Sequence, residues 1–583
     1  MKSNPILQRP VANMSLPRNG FPRGFEVKFN QSSGMALPIF SEVVFGNSSC
    51  RINRKELLRA SQVNTAAMPS VDHHIDFYFV PFRQLVTHYG QMRSQVADGF
   101  STAMAGNSFS PDTKLPMINC TTLHGVLSSM EQSQLKDMFG FSSLTGAIRL
   151  LDLLNYGVTL DVLEANGERL DSDKYFGGMS DINPLRLCAY QKIWYDHYRQ
   201  TNYITNKPQA YNLDMHYNTA GAMYRGFDAT EVLDMLELHY VPLRKDYFTN
   251  IYPSLNYVGV NQGSIANFKV PSNIQGFGAY GASYDETSVN RPEVHNTLGV
   301  VGTSEYLQAQ DIAAVSVQQI RAMFALDKLT RLAAYTPKHV SDQFEARFGF
   351  RPFAEDIHES KYIGSFRSDL QFSEVLSTAE TTEGQLGAIG GRGFAVSDFQ
   401  DEINFTSPED GIIMGISYIL PRISYDAFGM DKFNFNGDIT TFFEPTMQDL
   451  GLVPVYRKEI INFLEYSDDH DISLINNIIL GYQPNYSEYK IGVDKNHGLF
   501  LTGHPLSIFA THTKSDFMRL RQFPQDEYPD GVPSWFFYCS PADMDSVFAK
   551  SYDGTELSDQ FFGLVRFKFD VVQNMSIHGQ PSI

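Results

Sequence analysis

The chain has 583 residues, of which 43% are hydrophobic and only 19% are charged, and its net charge is −19. Charged residues usually make up about 25% of a soluble protein. The low share favours a surface that neighbouring subunits cover, because charged residues are depleted from interface cores. The acidic balance excludes a chain that binds nucleic acid over its whole surface. The 44 Phe and 30 Tyr favour a fold rich in strands and loops.

The first 24 residues differ in composition from the rest. They hold scattered arginines and four prolines, at positions 5, 10, 17 and 22. This spacing excludes a helix, because proline removes a backbone donor and clashes with the preceding turn. We predict an extended basic arm over residues 1–24 and a single domain over residues 25–583. Residues 1–60 carry nine Lys/Arg and three Asp/Glu, so a polyanion would meet local positive charge there.

The sequence gives no sign of export. No apolar run predicts a signal peptide or reaches the roughly 18 residues of a membrane span. The four cysteines are far apart and form no C-x-x-C pair; they are Cys50, Cys120, Cys188 and Cys539. We expect four free thiols in a reducing cytoplasm.

Apolar and alternating runs predict β-strands towards both ends of the chain. The clearest run is C-terminal, where apolar residues at 565, 567, 569 and 571 alternate with charged residues at 566, 568 and 570. Further strands are predicted over residues 25–29, 37–45, 71–82 and 411–420. Strands at both ends, with helices and long loops between them, predict one β-barrel domain with large insertions at about 88–182 and 215–305.

Three helices are predicted between the strands. The first opens at Asn183-Pro184, a helix N-cap followed by proline, and apolar residues follow at helical spacing at 187, 190, 194 and 198. The second begins near Ser316 with a capping box and ends before Pro337. The third has apolar positions at 340, 344 and 348 and ends at Gly349.

Short motifs give no support for an enzyme. Residues 276–281 match G-x-G-x-x-G, but neither the strand before it nor the helix after it is predicted, so a surface loop is favoured. The acidic run 468–471 lacks the remaining ligands of a calcium loop. His73 and His74 are adjacent in a strand and therefore point to opposite faces, which makes a poor metal pair. We predict no catalytic residues, no metal site and no cofactor.

A set of segments in a fixed order carries a family resemblance. The first half of the chain contains FEVKFNQSSGMALPIFSEVVFGNS, VDHHIDFYFVPFRQL, LRLCAYQKIWYDHYR and LRKDYFTNIYPSLNYV. The second half contains SVQQIRAMFALDKLTRLAAYTPKHVSDQFEARFGF, KYIGSFRSDLQFSEV, FTSPEDGIIMGISYILPRISY and IILGYQPNYSEYK. Together they cover about half the chain and resemble the major capsid proteins of microviruses, especially the gokushovirus-like lineages of the Microviridae.

The resemblance implies a fold and a set of partners. It implies a mainly β protein, an eight-stranded antiparallel jelly roll with long helical and loop insertions. It implies a homo-oligomer of 60 copies in a T=1 shell around a circular single-stranded DNA genome, assembled in the bacterial host cytoplasm. Further implied partners are a pilot protein, a small basic DNA-packaging protein, and a host cell-surface receptor that outer insertion loops contact.

An acidic shell around an anionic genome requires local positive charge on its inner wall. The candidate nucleic-acid contacts are Arg9, Arg18 and Arg23 of the arm, with Lys28 just beyond it. Contacts to phosphates are expected, with Phe21 or Phe25 stacking on bases. The alternative for the arm is that it clamps a neighbouring subunit.

A different class of function stays open from the residues alone. Loops rich in Tyr and Asn also fit a surface carbohydrate-binding or glycoside-degrading β-sandwich protein. The absence of a signal peptide argues against that alternative.

Overall fold

A computed structural model describes most of the chain. The described residues are 17–63, 70–87, 89–94, 115–157, 181–216, 226–253, 335–376, 389–397, 401–435, 437, 442–462, 477–502, 504–507, 532–544, 551–552, 555–556 and 559–578, with 321, 325, 328, 329 and 332.

Sixteen strands are present in these residues. They are β1 (Arg18–Pro22), β2 (Phe25–Gln31), β3 (Leu37–Val44), β4 (Ser49–Val63), β5 (Val71–Pro81), β6 (Lys361–Leu376), β7 (Ile389–Ser397), β8 (Glu402–Thr406), β9 (Gly411–Pro421), β10 (Tyr425–Asp426), β11 (Leu452–Tyr456), β12 (Ile479–Pro484), β13 (Lys495–Asn496), β14 (Ser551–Tyr552), β15 (Thr555–Glu556) and β16 (Phe561–Asn574).

Ten of the strands form one antiparallel sheet. Eight follow one another in the order β1-β16-β4-β7-β6-β5-β9-β3, while β2 pairs with β16 and β8 pairs with β4. The first and last strands of the chain are therefore neighbours, and β16 is paired on both sides by strands from the N-terminal 63 residues. The other six strands form three two-stranded sheets, β10-β13, β11-β12 and β14-β15.

Contacts between phenylalanine rings show that the large sheet curls. Phe40 lies on the edge strand β3, yet its ring centroid is 5.1 Å from that of Phe567 and 5.3 Å from that of Phe569, both on β16. Phe40 also stacks on Phe25 of β2 at 5.4 Å. Strands from opposite ends of the order thus face each other across a phenylalanine core. The predicted mainly β, antiparallel jelly-roll architecture is confirmed, although the sheet has ten strands where eight were predicted.

Eight α-helices are described. They are α1 (Phe82–Leu85), α2 (Tyr89–Ser94), α3 (Cys120–Ser133), α4 (Ser143–Leu153), α5 (Leu185–Ile193), α6 (Ala229–Met235), α7 (Val340–Phe348) and α8 (Lys432–Phe435). A π-helical turn, Trp194–Tyr198, continues α5. Short 3-10 turns occur at Pro208–Ala210, Leu213–His216, Pro445–Leu450, Arg457–Glu459, Ser487–Tyr489, Gly498–Phe500, Ser534–Phe537 and Pro541–Met544.

The predicted helix after Asn183-Pro184 covers one side of the barrel. Asn183 accepts a hydrogen bond from the backbone N–H of Leu185 at 3.0 Å, as a capping residue does. The hydroxyl of Tyr190 donates to the backbone oxygen of Ala36 at 3.0 Å, which joins the helix to the segment before β3. The helix is buried on nearly all sides, so its aromatic residues are core residues rather than a surface stripe.

The structure differs from the sequence-based expectations in two places. Residues 18–22, predicted as part of an extended arm outside the domain, form the edge strand β1 of its sheet; Pro22 is tolerated there because an edge strand leaves N–H groups unpaired. The insertion predicted over 88–182 contains α3 and α4, which bury residues such as Leu127 and Leu151 in the core. Its described part is therefore packed against the barrel. The predicted α7 is confirmed, and it ends at Gly349, whose φ is 72°.

Several predicted features lie outside the described residues. These are the arm before residue 17, the motifs at 276–281 and 468–471, the start of the helix at 316, and most of the insertion at 215–305.

A buried histidine predicts acid sensitivity. His239 stacks on Trp194 with centroids 3.9 Å apart, and its Nε2–H donates to Oε1 of Gln191. Burial lowers the pKa of His239 to about 4, whereas an unfolded histidine titrates near 6.5. Because the unfolded chain binds the proton more readily, stability is fully present above pH 6.5 and is lost as pH falls towards 4.

We therefore expect His239→Gln to remove part of this pH dependence. Between pH 7.5 and pH 4.5 the wild-type free energy of unfolding should fall by roughly 2–3 kcal/mol more than that of the variant. Urea unfolding at the two pH values measures the difference. Equal losses in both proteins would contradict the assignment.

Candidate nucleic-acid interface

The outward side of the sheet around β16 is rich in cations. Residues of β16 that alternate with the buried core positions point away from the core. Because neighbouring strands are in register, Arg566 lies between Glu26 of β2 and Lys55 of β4. We call the outward side of β1, β2, β16, β4 and β8 the basic face. Its cations are Arg18, Lys28, Arg51, Lys55, Arg59, Arg566 and Lys568.

The acidic side chains of the basic face are less exposed than the cations with which they pair. They are Glu26, Glu402 and Asp570. Arg566 pairs with Glu26 at 2.8 Å, but its side chain is 62% exposed against 31% for Glu26. Arg51 pairs with Glu402 at 3.1 Å, and the exposed fractions are 56% and 33%. The outermost layer of this surface is therefore positively charged, on a chain that is acidic as a whole.

The structure separates the four predicted contact residues. Arg18 and Lys28 lie on the basic face; Arg18 donates to the hydroxyl of Ser49 at 2.7 Å, and the Lys28 side chain is 76% exposed. Arg23 points to the other side of the sheet, where it pairs with Glu42 of β3 and lies over the ring of Phe569 at 5.8 Å. Arg9 lies outside the described residues.

Five cations of the basic face were missed in the sequence. Arg51, Lys55 and Arg59 recur at near-even spacing in β4, and Arg566 and Lys568 alternate with the C-terminal core residues. Both patterns are visible in the sequence as the solvent side of a strand. What no pattern shows is that these two strands, about 500 residues apart, are neighbours in the sheet.

The inward side of β4 forms a buried charged network with residues of β5 and β9. His73 of β5 lies 2.6 Å from Oε1 of Glu56 through Nδ1 and 2.8 Å from the hydroxyl of Ser417 through Nε2. Arg54 also pairs with Glu56. Glu56 and His73 are 0% exposed and Arg54 is 2% exposed at their side chains. Ser417, His73 and Glu56 resemble a nucleophile–base–acid chain, but no substrate could reach them, so the network is structural.

Hydrogen bonding orients the polar groups of this network. Both amide hydrogens of Gln31 are used, by the backbone oxygens of Met35 and Ser417. The Ser417 hydroxyl therefore donates to Oε1 of Gln31, at 2.9 Å, and accepts from Nε2–H of His73. Charge and hydrogen bonds from His73 and Arg54 lower the pKa of Glu56 against the effect of burial. Nδ1 of the same ring lies 2.6 Å from Oε1 of Glu56, so His73 links Ser417 to the acid.

The described residues were also compared with the requirements of a metal site and of a membrane span. No group of three or more His, Cys, Asp or Glu among them is arranged to hold a metal ion. Within the same part of the chain, no helix has the length and apolar character needed to cross a membrane. His74 stacks on Tyr418 rather than joining His73. No disulfide joins the four cysteines, all of which are described, and Cys50, Cys188 and Cys539 are buried.

Comparison with known proteins identifies the family. A family model described as "Capsid protein (F protein)" matches residues 177–583, which is most of the chain. The chain belongs to this phage capsid protein family, the major capsid proteins of microviruses. It is also 23% identical over 221 residues to "Capsid protein VP1" of Chlamydia phage 1, a match that covers 37% of this chain and 36% of that relative. The match thus spans about a third of the relative's length.

The large sheet extends beyond the residues that the family model matches. Strands β1 to β5 precede the matched region, yet they pair with β6, β7, β9 and β16 inside it. Both parts therefore belong to one curled sheet of this capsid protein. The family favours the capsid interpretation over the carbohydrate-binding alternative.

Proposed function

We propose that this chain is the shell-forming subunit of a small single-stranded DNA phage. Sixty copies would form a T=1 icosahedral capsid around a circular genome, after assembly in the host cytoplasm, and the subunit would have no catalytic activity. The observation that carries the proposal is the capsid family match over residues 177–583, joined with a curled antiparallel sheet. A low share of charged residues and abundant exposed aromatic residues suit a surface built for contacts between copies.

The basic face supports a place for the genome. Sixty copies at −19 each carry a large excess of negative charge, which would repel DNA unless the inner wall is locally basic. The basic face is a cationic surface of the required kind, and it includes Arg18 and Lys28. We place it against the packaged DNA, with contacts mainly to phosphates. Arg23 pairs with Glu42 and thereby links β3 to the N-terminal strands, so we do not include it among the DNA contacts.

The genome contact predicts a salt-dependent loss of binding. Replacing Lys55, Arg566 and Lys568 together by glutamine removes three cations of the basic face. The slope of log affinity against log salt for single-stranded DNA should shrink by about 2, since each phosphate contact contributes about 0.7. Fluorescence anisotropy of a labelled oligonucleotide with the purified chain measures the slope. Particles of the variant should also hold less DNA, as their absorbance ratio at 260 and 280 nm reports.

A matched control removes three exposed cations from elsewhere. Arg351, Lys361 and Arg422 have side chains that are 60%, 41% and 64% exposed, and they lie outside the basic face. Their replacement by glutamine should leave the salt slope unchanged. If both triple variants lose the same affinity, the charge effect is general and the basic face is not the genome contact.

The remaining partners are proposals that the family membership supports. A pilot protein and a small basic DNA-packaging protein would share the virion. A host cell-surface receptor would meet an outer insertion, within residues 263–305 or part of 88–182. The packing of α3 and α4 against the barrel leaves the residues before Leu115 and after Gly157 as the stronger choice within the second range.

A further inference from the structure

We propose that one end of the basic face is a stacking platform for unpaired DNA bases, centred on Phe562, Arg59 and Phe394. The inference rests on the genome contact proposed above and adds a second mode of recognition to it. The basic face would bind phosphates through its cations, and the platform would bind the flat faces of the bases.

Strand register brings the three side chains together. Phe562 of β16 is directly opposite Arg59 of β4, and Arg59 is directly opposite Phe394 of β7. Neighbouring strands lie about 4.8 Å apart, and directly opposed residues share a face of the sheet. Arg59 is therefore flanked by two aromatic residues on one side of three adjacent strands.

The two rings point to solvent and not into the core. Phe562 is 42% exposed and Phe394 is 40% exposed. Their chain neighbours Phe561 and Ala395 point the other way and are 0% and 2% exposed. The core at this end of the barrel is thus filled without the two outward rings. Two exposed aromatic rings beside the same arginine form a strip that is a candidate surface for a binding partner.

The surroundings of the strip indicate what covers it. The next row of the sheet runs from Val396, which is 63% exposed, through Leu57 and Leu564 to Lys28. The row after that contains Arg566 beside Lys55. An apolar and aromatic strip with cations along its border is complementary to a polyanion that also carries flat apolar groups. Single-stranded nucleic acid has both properties.

Unpaired bases fit the platform better than a duplex does. Bases of single strands stack on aromatic side chains and on arginine guanidinium planes with little dependence on sequence. In a duplex the faces of the bases are already stacked on each other, so only phosphates would meet this surface. A platform of this kind would therefore hold irregular single strands in any sequence, which suits a genome that is packed rather than read.

The test separates stacking from charge. Phe394→Leu together with Phe562→Leu keeps the strip apolar and removes both aromatic faces. Binding of the purified full-length chain is measured with a labelled oligothymidine and with an abasic oligomer of the same length. The variant should lose about 10- to 100-fold in affinity for oligothymidine and bind the abasic oligomer as the wild type does. Phe348→Leu with Phe353→Leu is the matched control, since these rings are 66% and 77% exposed elsewhere on the chain.

A second variant protects the test against a folding defect. Arg59→Lys keeps the positive charge and removes the planar group, so it should weaken binding of oligothymidine several-fold and leave the abasic oligomer unaffected. Unchanged affinity for oligothymidine in both variants would overturn the platform. If the glutamine variant of Lys55, Arg566 and Lys568 still loses affinity in that case, the genome contact stands without the platform. If the leucine variant binds DNA normally but forms no shells, the strip is a contact between copies.

Discussion

Replacing Glu56 by glutamine should lower the free energy of unfolding by about 3–5 kcal/mol. Glu56 is the single acid of the buried network: it pairs with Arg54 and hydrogen-bonds to His73, whose side chains are 2% and 0% exposed. Glutamine has nearly the same shape, so the packing is retained and only the charge is lost. The buried guanidinium of Arg54 would then lose its buried acid partner, and burial penalises a charge that has no partner.

Denaturant unfolding of the purified chain measures this effect. Glu402→Gln is the matched control. Glu402 lies on β8 and forms an exposed pair, at 3.1 Å, with Arg51 of β4, the strand that also contains Glu56. An exposed, solvent-screened pair contributes little to stability, so the control should unfold close to the wild type. Similar small shifts for both variants would show that the buried network is not charged as the hydrogen bonds indicate.

The second large effect is expected for Gly34→Ala. Gly34 turns the chain between β2 and β3 with φ at 77°, a conformation that residues with a side chain rarely adopt. A methyl group there would overlap the backbone oxygen of Cys539. The turn is also held on both sides, by hydrogen bonds to Ile419 at 2.9 Å and from Val241 at 2.8 Å, so it cannot shift without breaking them. We expect a loss on the order of 3 kcal/mol or more in unfolding free energy.

Gly140→Ala separates backbone strain from the steric clash. Gly140 has φ at 89°, but nothing lies within 4 Å of an added Cβ. Its replacement should cost only about 1 kcal/mol, from the strained backbone conformation. Thermal unfolding of both variants gives the comparison. A Gly34→Ala protein as stable as Gly140→Ala would show that the segment 532–544 does not pack tightly against this turn.

The basic face could be predicted only in part from the sequence. The prolines of residues 1–24 predicted an arm, and they did exclude a helix, but they could not show that residues 18–22 extend along β16 as an edge strand. Nor could they distinguish Arg18 from Arg23. The two residues lie on opposite sides of the sheet because the chain leaves β1 between them, and Arg23 then meets Glu42 of β3.

Local sequence patterns were sufficient to predict much of the local structure and the family. Alternation at 565–571 specified a strand with one buried and one charged side, helical spacing specified α5 and α7, and the ordered segments pointed to microvirus capsid proteins. These signals are local because side-chain period reports burial within one element. The identity of neighbouring strands follows from the folded sheet and from no local pattern. Pairing of β16 with β4 and of β4 with β7 depends on contacts across hundreds of residues, and those contacts alone assemble Lys55, Arg59, Phe394, Phe562 and Arg566 into one surface.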